Sequence, residues 1–265
     1  MKEKILSYLP TDHPWAAHIQ AFDTIDSTNT YAKKLAAQGA PDGTVIVADS
    51  QTGGRGRMGR SFHSPGGQGI YLSVILRPKC HARELMHLTC ATAVAMCDAV
   101  EAACGFRPQV KWTNDLVWQK HKLGGILTEL SLRPDGSVGY AVVGIGINCA
   151  QMQADFPEEI RNIATSLSMI LGREVSRFAV IAAMIEALEA MSRNLLTEKD
   201  RIMETYRGSC ITLGQSVSIV QGDTVRYGTA KDIDSEGGLI VETPDGKIET
   251  VCAGEVSVRG MYGYI

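Results

Sequence analysis

Residues 108–148 read PQVKWTNDLVWQKHKLGGILTELSLRPDGSVGYAVVGIGIN, and they contain the clearest strand pattern of the sequence. It contains four strand-like runs rich in apolar and β-branched residues, each ended by a turn signal. The connections KHK and RPDG are short enough for hairpins, so consecutive runs should pair as antiparallel neighbours. The stretch therefore predicts a largely antiparallel sheet.

Other segments extend this sheet and cover it with helices. The runs TVIVAD (44–49) and IYLSVILRP (70–78) predict two further strands. Helical patterns occur after the capping residues of DSTN (26–29), over residues 83–104 and over residues 177–196. These elements predict an α+β domain with a mixed sheet.

The composition changes near Gly208, where short alternating strands begin that are broken by QGD, SEGG and PDG. This pattern is typical of a small β-barrel or sandwich. We therefore predict two domains, residues 1–207 and residues 208–265.

The bulk composition is typical of a soluble globular protein. Of 265 residues, 45% are hydrophobic and 21% are charged, and the formal net charge is −3. Such a charge provides no general attraction for nucleic acid or anionic membranes, so we expect neither DNA nor a membrane as a partner. No apolar run approaches the roughly 18 residues of a membrane span, and the N-terminus does not resemble a signal peptide.

The seven cysteines include no C-x-x-C pair. Cys90, Cys97 and Cys104 recur every seven residues, which places them on one face of the predicted helix. We interpret them as small buried side chains, not as metal ligands, and expect a reducing cytoplasmic location.

A glycine- and arginine-rich loop, GGRGRMGRS (53–61), matches two phosphate-binding motifs by letter. Gly54, Gly56 and Gly59 spell G-x-G-x-x-G, and residues 54–61 nearly spell a P-loop with Arg60 in place of lysine. Both motifs need a helix directly after the loop, and SFHSPGGQG (61–69) cannot form one. Two interpretations remain: a surface loop with solvated charges, or a lid that closes over an anionic ligand.

Polar residues lie at the ends of the predicted strands. In KWTNDL, Lys111 ends a predicted strand and is followed by Asn114 and Asp115. This Asn–Asp pair either forms a simple turn or supplies oxygen ligands to magnesium carried by a nucleotide. Lys122 precedes Gly124 and is either an edge-strand charge or a cation positioned near a phosphate or carboxylate.

A third glycine-bearing strand, VGIGIN, places Gly144 and Gly146 before Asn148. Together with the arginine loop, these strand ends favour binding and charge neutralisation of an acyl or phosphoryl group. The sequence contains neither H-E-x-x-H nor a nucleophile elbow.

Several of these segments, in this order, resemble the biotin protein ligases, also called biotin–[acetyl-CoA-carboxylase] ligases. The resemblance runs from about residue 22 to the C-terminus. The matching segments are DSTN (26–29), QTGGRGRMGR (51–60), KWTNDL (111–116), KLGGILTE (122–129), GIGIN (144–148), ATSL (164–167) and YRGSCITLGQSVSI (206–219).

The resemblance implies a class II synthetase-like catalytic domain followed by an SH3-like C-terminal barrel. It implies that ATP with Mg²⁺ activates biotin as biotinyl-5′-AMP, which a lysine of a biotin carboxyl carrier domain then attacks. The carrier would belong to acetyl-CoA carboxylase or another biotin-dependent enzyme. The family includes monomers and homodimers, and the sequence leaves that choice open.

The resemblance also assigns site residues. Lys122 and Arg57 would be catalytic, and Asp115 would contact the Mg²⁺ carried by ATP. The residues implied for biotin are Ser27, Thr28, Asn29, Gln51, Gly54, Arg55, Gly56, Arg57, Lys122, Gly124 and Gly125. The residues implied for the nucleotide are Arg57, Arg60, Phe62, Asn114, Asp115, Lys122 and Asn148. Phe62 stands where the family often has a tryptophan near the adenine.

Two alternatives stay open at this point. A lipoate- or octanoyl-protein ligase or transferase shares the catalytic fold and also modifies a carrier lysine. A non-catalytic biotin sensor or DNA-binding regulator is the other. The short segment before the resemblance leaves too little chain for a helix-turn-helix domain, so we expect the monofunctional type of ligase that lacks a DNA-binding domain.

Overall fold

The computed structural model describes residues 1–221, 224–252 and 255–258. Its α-helices are α1 Lys2–Leu6, α2 Thr28–Ala37, α3 Leu88–Cys104, α4 Glu158–Arg161, α5 Leu167–Leu171, α6 Arg177–Asn194 and α7 Lys199–Ser209. Its strands are β1 Ile19–Ile25, β2 Thr44–Gln51, β3 Gly69–Leu76, β4 Gln109–Lys111, β5 Asp115–Trp118, β6 His121–Leu132, β7 Val138–Asn148, β8 Ser216–Gln221, β9 Thr224–Ile233, β10 Leu239–Glu242, β11 Ile248–Val251 and β12 Glu255–Val258.

The larger domain is built on a seven-stranded sheet with the order β1-β2-β3-β7-β6-β5-β4. Strands β4 to β7 are antiparallel neighbours, as the hairpin-length connections predict. Strand β1 pairs with β2 in parallel, while the other pairs are antiparallel. The predicted α+β fold with a mixed, largely antiparallel sheet is confirmed.

Helices cover the two faces of this sheet unequally. Helices α3 and α6 pack against each other and against one face, where they bury the main hydrophobic core. On the other face, Ala32 and Ala36 of α2 pack on Ile46, Ile75 and Val142. Small side chains on α2 let the helix lie close to the strands, and its N-terminus points toward the strand ends that form the candidate site.

The helix predicted over residues 83–104 is interrupted. A short 3₁₀ segment occupies Ala82–Leu85, and α3 begins only at Leu88. His87 lies between them with its ring fully buried, where Nε2 is 2.8 Å from the carbonyl oxygen of Leu195. By length and composition the segment Ala82–Cys104 could cross a membrane, but 72% of its most apolar window is buried within the fold. It is a core helix.

The three cysteines of α3 are buried on its packed face, which confirms their prediction as small core residues. Burial raises the pKa of the Cys90 and Cys97 thiols to about 12. Among the described residues, no group of three histidine, cysteine or acidic side chains could hold a metal ion. The thiols are therefore packing groups.

A second, five-stranded antiparallel sheet with the order β11-β10-β9-β8-β12 forms the C-terminal module. Its turn after β9 contacts the larger domain, where Trp112 Nε1 donates a hydrogen bond of 2.8 Å to the Gly237 carbonyl. Arg207 Nε of α7 donates to the Ile233 carbonyl at 2.7 Å. The predicted domain boundary, between residues 207 and 208, falls within the last turn of α7 and stays a prediction; residues 259–265 of the predicted second domain lie outside the described residues.

Candidate active site

A cavity of about 370 Å³ lies between the start of α2, the loop 52–68 and the ends of strands β4 to β7. Most sequence-predicted site residues line it together. They are Ser27, Thr28, Asn29, Gln51, Arg55, Gly56, Arg57, Arg60, Phe62, Asn114, Asp115, Lys122, Gly125 and Asn148. Gly54 and Gly124 do not line it, so any effect of theirs on a ligand would be indirect.

One end of the cavity is a buried polar wall formed by the first residues of α2. Ser27 caps the helix, accepting a hydrogen bond from the backbone of Thr30. The backbone N–H and the hydroxyl of Thr28 both donate to Gln51 Oε1, at 2.8 and 3.1 Å. Gln51 Nε2 in turn donates to Ser64 Oγ at 3.0 Å. Because each group holds the next, this wall is preorganised to present hydrogen-bonding groups to a ligand.

Asn29 continues this wall and explains the glycine in the facing strand. Its amide nitrogen donates to the Leu127 carbonyl at 3.2 Å, and its oxygen accepts from Ser73 Oγ at 2.6 Å. A Cβ atom on Gly144 would lie 1.9 Å from the Asn29 oxygen. Gly144 is therefore the residue that makes room for the Asn29 amide.

Other glycines permit close packing around the arginine loop. A Cβ on Gly54 would meet the Phe62 carbonyl oxygen at 2.4 Å, and one on Gly124 would meet the Gly146 carbonyl oxygen at 2.5 Å. A Cβ on Gly146 would lie 2.6 Å from the Phe62 ring. The Phe62 ring therefore packs against β7 at a position where residue 146 has no side chain.

Two cationic side chains, Lys122 and Arg57, line the cavity. Lys122 Nζ lies 2.7 Å from Asp115 Oδ1, and the Lys122 backbone N–H donates to the Ile163 carbonyl at 2.7 Å. Arg57 Nη1 donates to Asn114 Oδ1 at 2.9 Å, and Asn114 Nδ2 donates to the Ile126 carbonyl at 3.0 Å. The side chain of Lys122 is thus held by a residue of β5, and that of Arg57 by a residue of the turn between β4 and β5.

Residues from distant parts of the chain also line the cavity. Asn148 is 6% exposed, and its Nδ2 donates to the Thr165 carbonyl at 3.0 Å. Lys111, Trp112 and Val256 line the cavity too, although the resemblance did not assign them. Lys111 and Trp112 were detectable in KWTNDL, but nothing in the sequence signals that Val256 of the C-terminal module reaches this site.

The arginine loop forms a short hairpin across the cavity. Arg55 and Ser61 form a β-bridge, and the Phe62 N–H donates to the Gly54 carbonyl at 2.9 Å. Met58 at its tip is 65% exposed and has a positive φ of 54°. Only a three-residue 3₁₀ turn, Arg57–Gly59, occurs here, and no helix follows it. The exclusion of both phosphate-loop motifs is confirmed, whereas closure over a ligand stays a prediction.

An acidic group, Glu129, lies behind the polar wall. Burial alone would raise its pKa, but hydrogen bonds from Lys33 and Asn29 and the charges of Lys33 and Arg55 lower it below the ordinary value. Glu129 is therefore ionised at neutral pH and can bind a cationic side chain from the loop.

This arrangement can bring two anions together. The polar wall can bind a neutral head group, and Lys122 and Arg57, which line the same cavity, can neutralise the repulsion between a carboxylate and a phosphate. Fixed cations aimed by neighbouring groups do this without the reorganisation that water would require.

Comparison with known proteins agrees with this chemistry. Residues 21–148 match the Biotin/lipoate A/B protein ligase family, and residues 212–259 match the Biotin protein ligase C terminal domain. The chain is 39% identical to the bifunctional ligase/repressor BirA of Bacillus spizizenii over 86% of this chain and 70% of that protein. It is 32% identical to the biotin–[acetyl-CoA-carboxylase] ligase of Mycobacterium tuberculosis over 87% of this chain and 85% of that protein.

The fold agrees as well. The biotin protein ligase of Aquifex aeolicus in complex with biotin and ATP superposes with a TM-score of 0.76 at 30% identity, covering 91% of this chain and 98% of that chain. The sequence match, the shared fold and the cation-lined cavity lead to one conclusion: the chain belongs to the biotin protein ligase family of enzymes.

Proposed function

We propose that this protein activates biotin with ATP as biotinyl-5′-AMP and transfers the biotinyl group to one lysine of a biotin carboxyl carrier domain. The observation that carries the proposal is that Lys122 and Arg57 line one cavity together with the hydroxyl and amide side chains of the polar wall. Biotin has the matching shape, because an uncharged head group is joined by an apolar chain to a carboxylate.

The biotin head group would bind at the end formed by Ser27, Thr28, Asn29 and Gln51. The ureido group of biotin both donates and accepts hydrogen bonds, as do hydroxyl and amide side chains. Ile126 and Leu127 line the cavity beyond this wall and supply an apolar surface for the valeryl chain. The loop residues Arg55, Gly56 and Arg57 would cover it.

In the first step, a carboxylate oxygen of biotin attacks the α-phosphorus of ATP, and pyrophosphate leaves. Lys122 and Arg57 would neutralise the carboxylate and the α-phosphate as these anions meet. Asp115 would offer one carboxylate oxygen to the Mg²⁺ that ATP carries, since Mg²⁺ is usually bound by few protein ligands plus substrate phosphates. Arg60, Phe62, Asn114 and Asn148 would contact the nucleotide.

In the second step, the uncharged amine of the carrier lysine attacks the biotinyl carbonyl. An amide bond forms, the bond to the phosphate oxygen breaks, and AMP leaves. A mixed anhydride hydrolyses readily, so it must be shielded from water until the carrier docks. The arginine loop, whose hairpin lies across the cavity, is suited to this task.

The experiment combines the full chain with biotin, ATP, Mg²⁺ and a biotin carboxyl carrier domain, and detects the product with streptavidin. We expect labelling of the carrier, and none of a carrier whose acceptor lysine is changed to arginine. Adenylate formation without carrier labelling would favour a biotin sensor. Binding of lipoate in place of biotin would favour the lipoate-ligase alternative, and either result would contradict the proposal.

Three further expectations accompany this function. The protein should act in the cytoplasm, without DNA as a partner, and as a monomer or a homodimer. Among the strands that the structure describes, β1 pairs with β2 alone, which leaves an edge on which a second strand could pair.

A further inference from the structure

The carboxylate of Glu129 joins three side chains from two parts of the fold. Lys33 Nζ lies 2.7 Å from Oε1, and Asn29 Nδ2 donates to Oε2 at 3.0 Å. Arg55 Nη1 lies 3.3 Å from Oε1 and 3.4 Å from Oε2. Glu129 itself does not line the cavity, whereas both Asn29 and Arg55 do.

Two of these partners are fixed and one belongs to the loop. Glu129 lies on β6, an interior strand of the sheet, and Asn29 and Lys33 lie on α2, which packs on the same sheet. Arg55 lies in the arginine loop. The Arg57–Asn114 hydrogen bond is a second contact that joins a loop arginine to the sheet domain, there through the turn between β4 and β5. Glu129 is thus an anchor on the rigid part of the molecule.

We propose that Glu129 is a positioning residue that fixes the arginine loop over the biotin end of the cavity, through Arg55, while it orients the Asn29 amide in the wall. The inference rests on the proposed function, because that function assigns this end to biotin. Glu129 would act on biotin through these two neighbours, without touching it.

The strength of this contact suits a loop that opens in each catalytic cycle. The side chains of Arg55 and Glu129 are 43% and 22% exposed, so solvent screens their attraction. A pair of this exposure shifts an equilibrium by about fivefold at most. Such a contact favours the closed loop yet lets it open for product release.

The test uses the full chain and compares two substitutions, each of which removes the Lys33–Glu129 ion pair. Glu129→Gln keeps the shape and an oxygen that can accept from Asn29, but it removes the charge that attracts Arg55. Lys33→Gln is the matched control, because it removes the shorter ion pair to Glu129 and leaves the Arg55 contact intact.

Loop opening is measured without ligands, as the rate of trypsin cleavage after Arg55, Arg57 and Arg60, read by mass spectrometry. Biotin affinity is measured by calorimetry, and the KM for ATP by pyrophosphate release. For Glu129→Gln we expect the rate of trypsin cleavage and the biotin Kd to rise about fivefold, with the KM for ATP within twofold of the wild-type value. For Lys33→Gln we expect neither the cleavage rate nor the biotin Kd to rise.

Equal effects of the two substitutions, or an unchanged cleavage rate in Glu129→Gln, would overturn the inference. So would equal changes in biotin Kd and ATP KM, since these indicate general loss of structure. Trypsin cleavage of the free protein needs no ligation, so it tests the anchor even if the proposed function fails. Failure of that function would appear separately, as wild-type protein that forms no biotinyl-5′-AMP.

Discussion

Gly144→Ala tests whether the Asn29 amide packs directly against residue 144 in the polar wall of the cavity. An alanine Cβ at this position would lie 1.9 Å from the Asn29 oxygen and 2.6 Å from its Cγ. Asn29 is 4% exposed and is held by Ser73, Leu127 and Glu129, so it cannot move without breaking hydrogen bonds. The substitution should therefore damage both stability and ligand binding.

The expected loss of folding stability has two contributions. Overpacking a buried site costs about 1–3 kcal/mol, and leaving a buried polar group without its partner costs about 1–3 kcal/mol. The entropy of unfolding scales with chain length, so for 265 residues it is about 0.6 kcal/mol per kelvin. The two costs together are about 2–6 kcal/mol, which lowers the Tm by about 3–10 °C.

The assay compares Gly144→Ala with Gly208→Ala by thermal unfolding and by biotin calorimetry. Gly208 lies near the end of α7, and a Cβ there meets no atom within 4 Å. Because alanine is the better helix former, the control should keep or slightly raise the Tm. Gly144→Ala should also bind biotin at least about fivefold more weakly, since one lost hydrogen bond to a ligand is worth about 1 kcal/mol or more. A Gly144→Ala protein with wild-type Tm and biotin affinity would refute this geometry.

Three other predictions concern charge, thiols and pH. Lys122→Ala should form no biotinyl-5′-AMP in single-turnover assays yet keep a Tm near that of the wild type; an unfolded variant would make Lys122 structural. The exposed thiol of Cys252 should react with Ellman's reagent at pH 8, whereas Cys90 and Cys97, whose pKa burial raises to about 12, should react only after unfolding; fast reaction of α3 thiols in the native protein would contradict their burial. Burial lowers the pKa of His87, so the unfolded chain binds a proton more readily and the free energy of unfolding should fall as the pH drops below about 6.5. Urea denaturation at pH 8 and 5.5 checks this, and an identical pH dependence in His87→Gln would contradict it.

The central sheet could be predicted because its signals are local. The strands of residues 108–148 are joined by short connections, and a hairpin's pairing follows from its turn. Strand β1 and helix α7 were missed because few of their residues are buried. Ile19 is the only buried residue of β1, so this strand shows no clear apolar alternation. In α7, Met203 and Tyr206 are the only buried residues; they lie on one face, but the residues around them are so polar that the segment resembles a surface loop. Their structure depends on tertiary contacts.

The candidate site likewise contains residues that the sequence predicts and residues that it does not. The glycines and cations at the strand ends could be identified from the sequence, because each differs from the apolar residues of its own strand. Trp112 and Val256 come together only when the C-terminal module packs on the larger domain, which no local pattern describes. The role of Glu129 was hidden as well, since it depends on partners up to 100 residues away in sequence.

In the proposed reaction biotin is joined to AMP before it is joined to the carrier, and an oxygen label reveals this order. Biotin labelled with ¹⁸O in both carboxylate oxygens is incubated with the protein, ATP, Mg²⁺ and a carrier domain, and the products are analysed by mass spectrometry. If biotinyl-5′-AMP is the intermediate, the bridging oxygen leaves with the phosphate. AMP then carries one ¹⁸O, and the biotinylated lysine amide retains the other. Unlabelled AMP accompanying a labelled carrier would show that biotinyl-5′-AMP is not the intermediate.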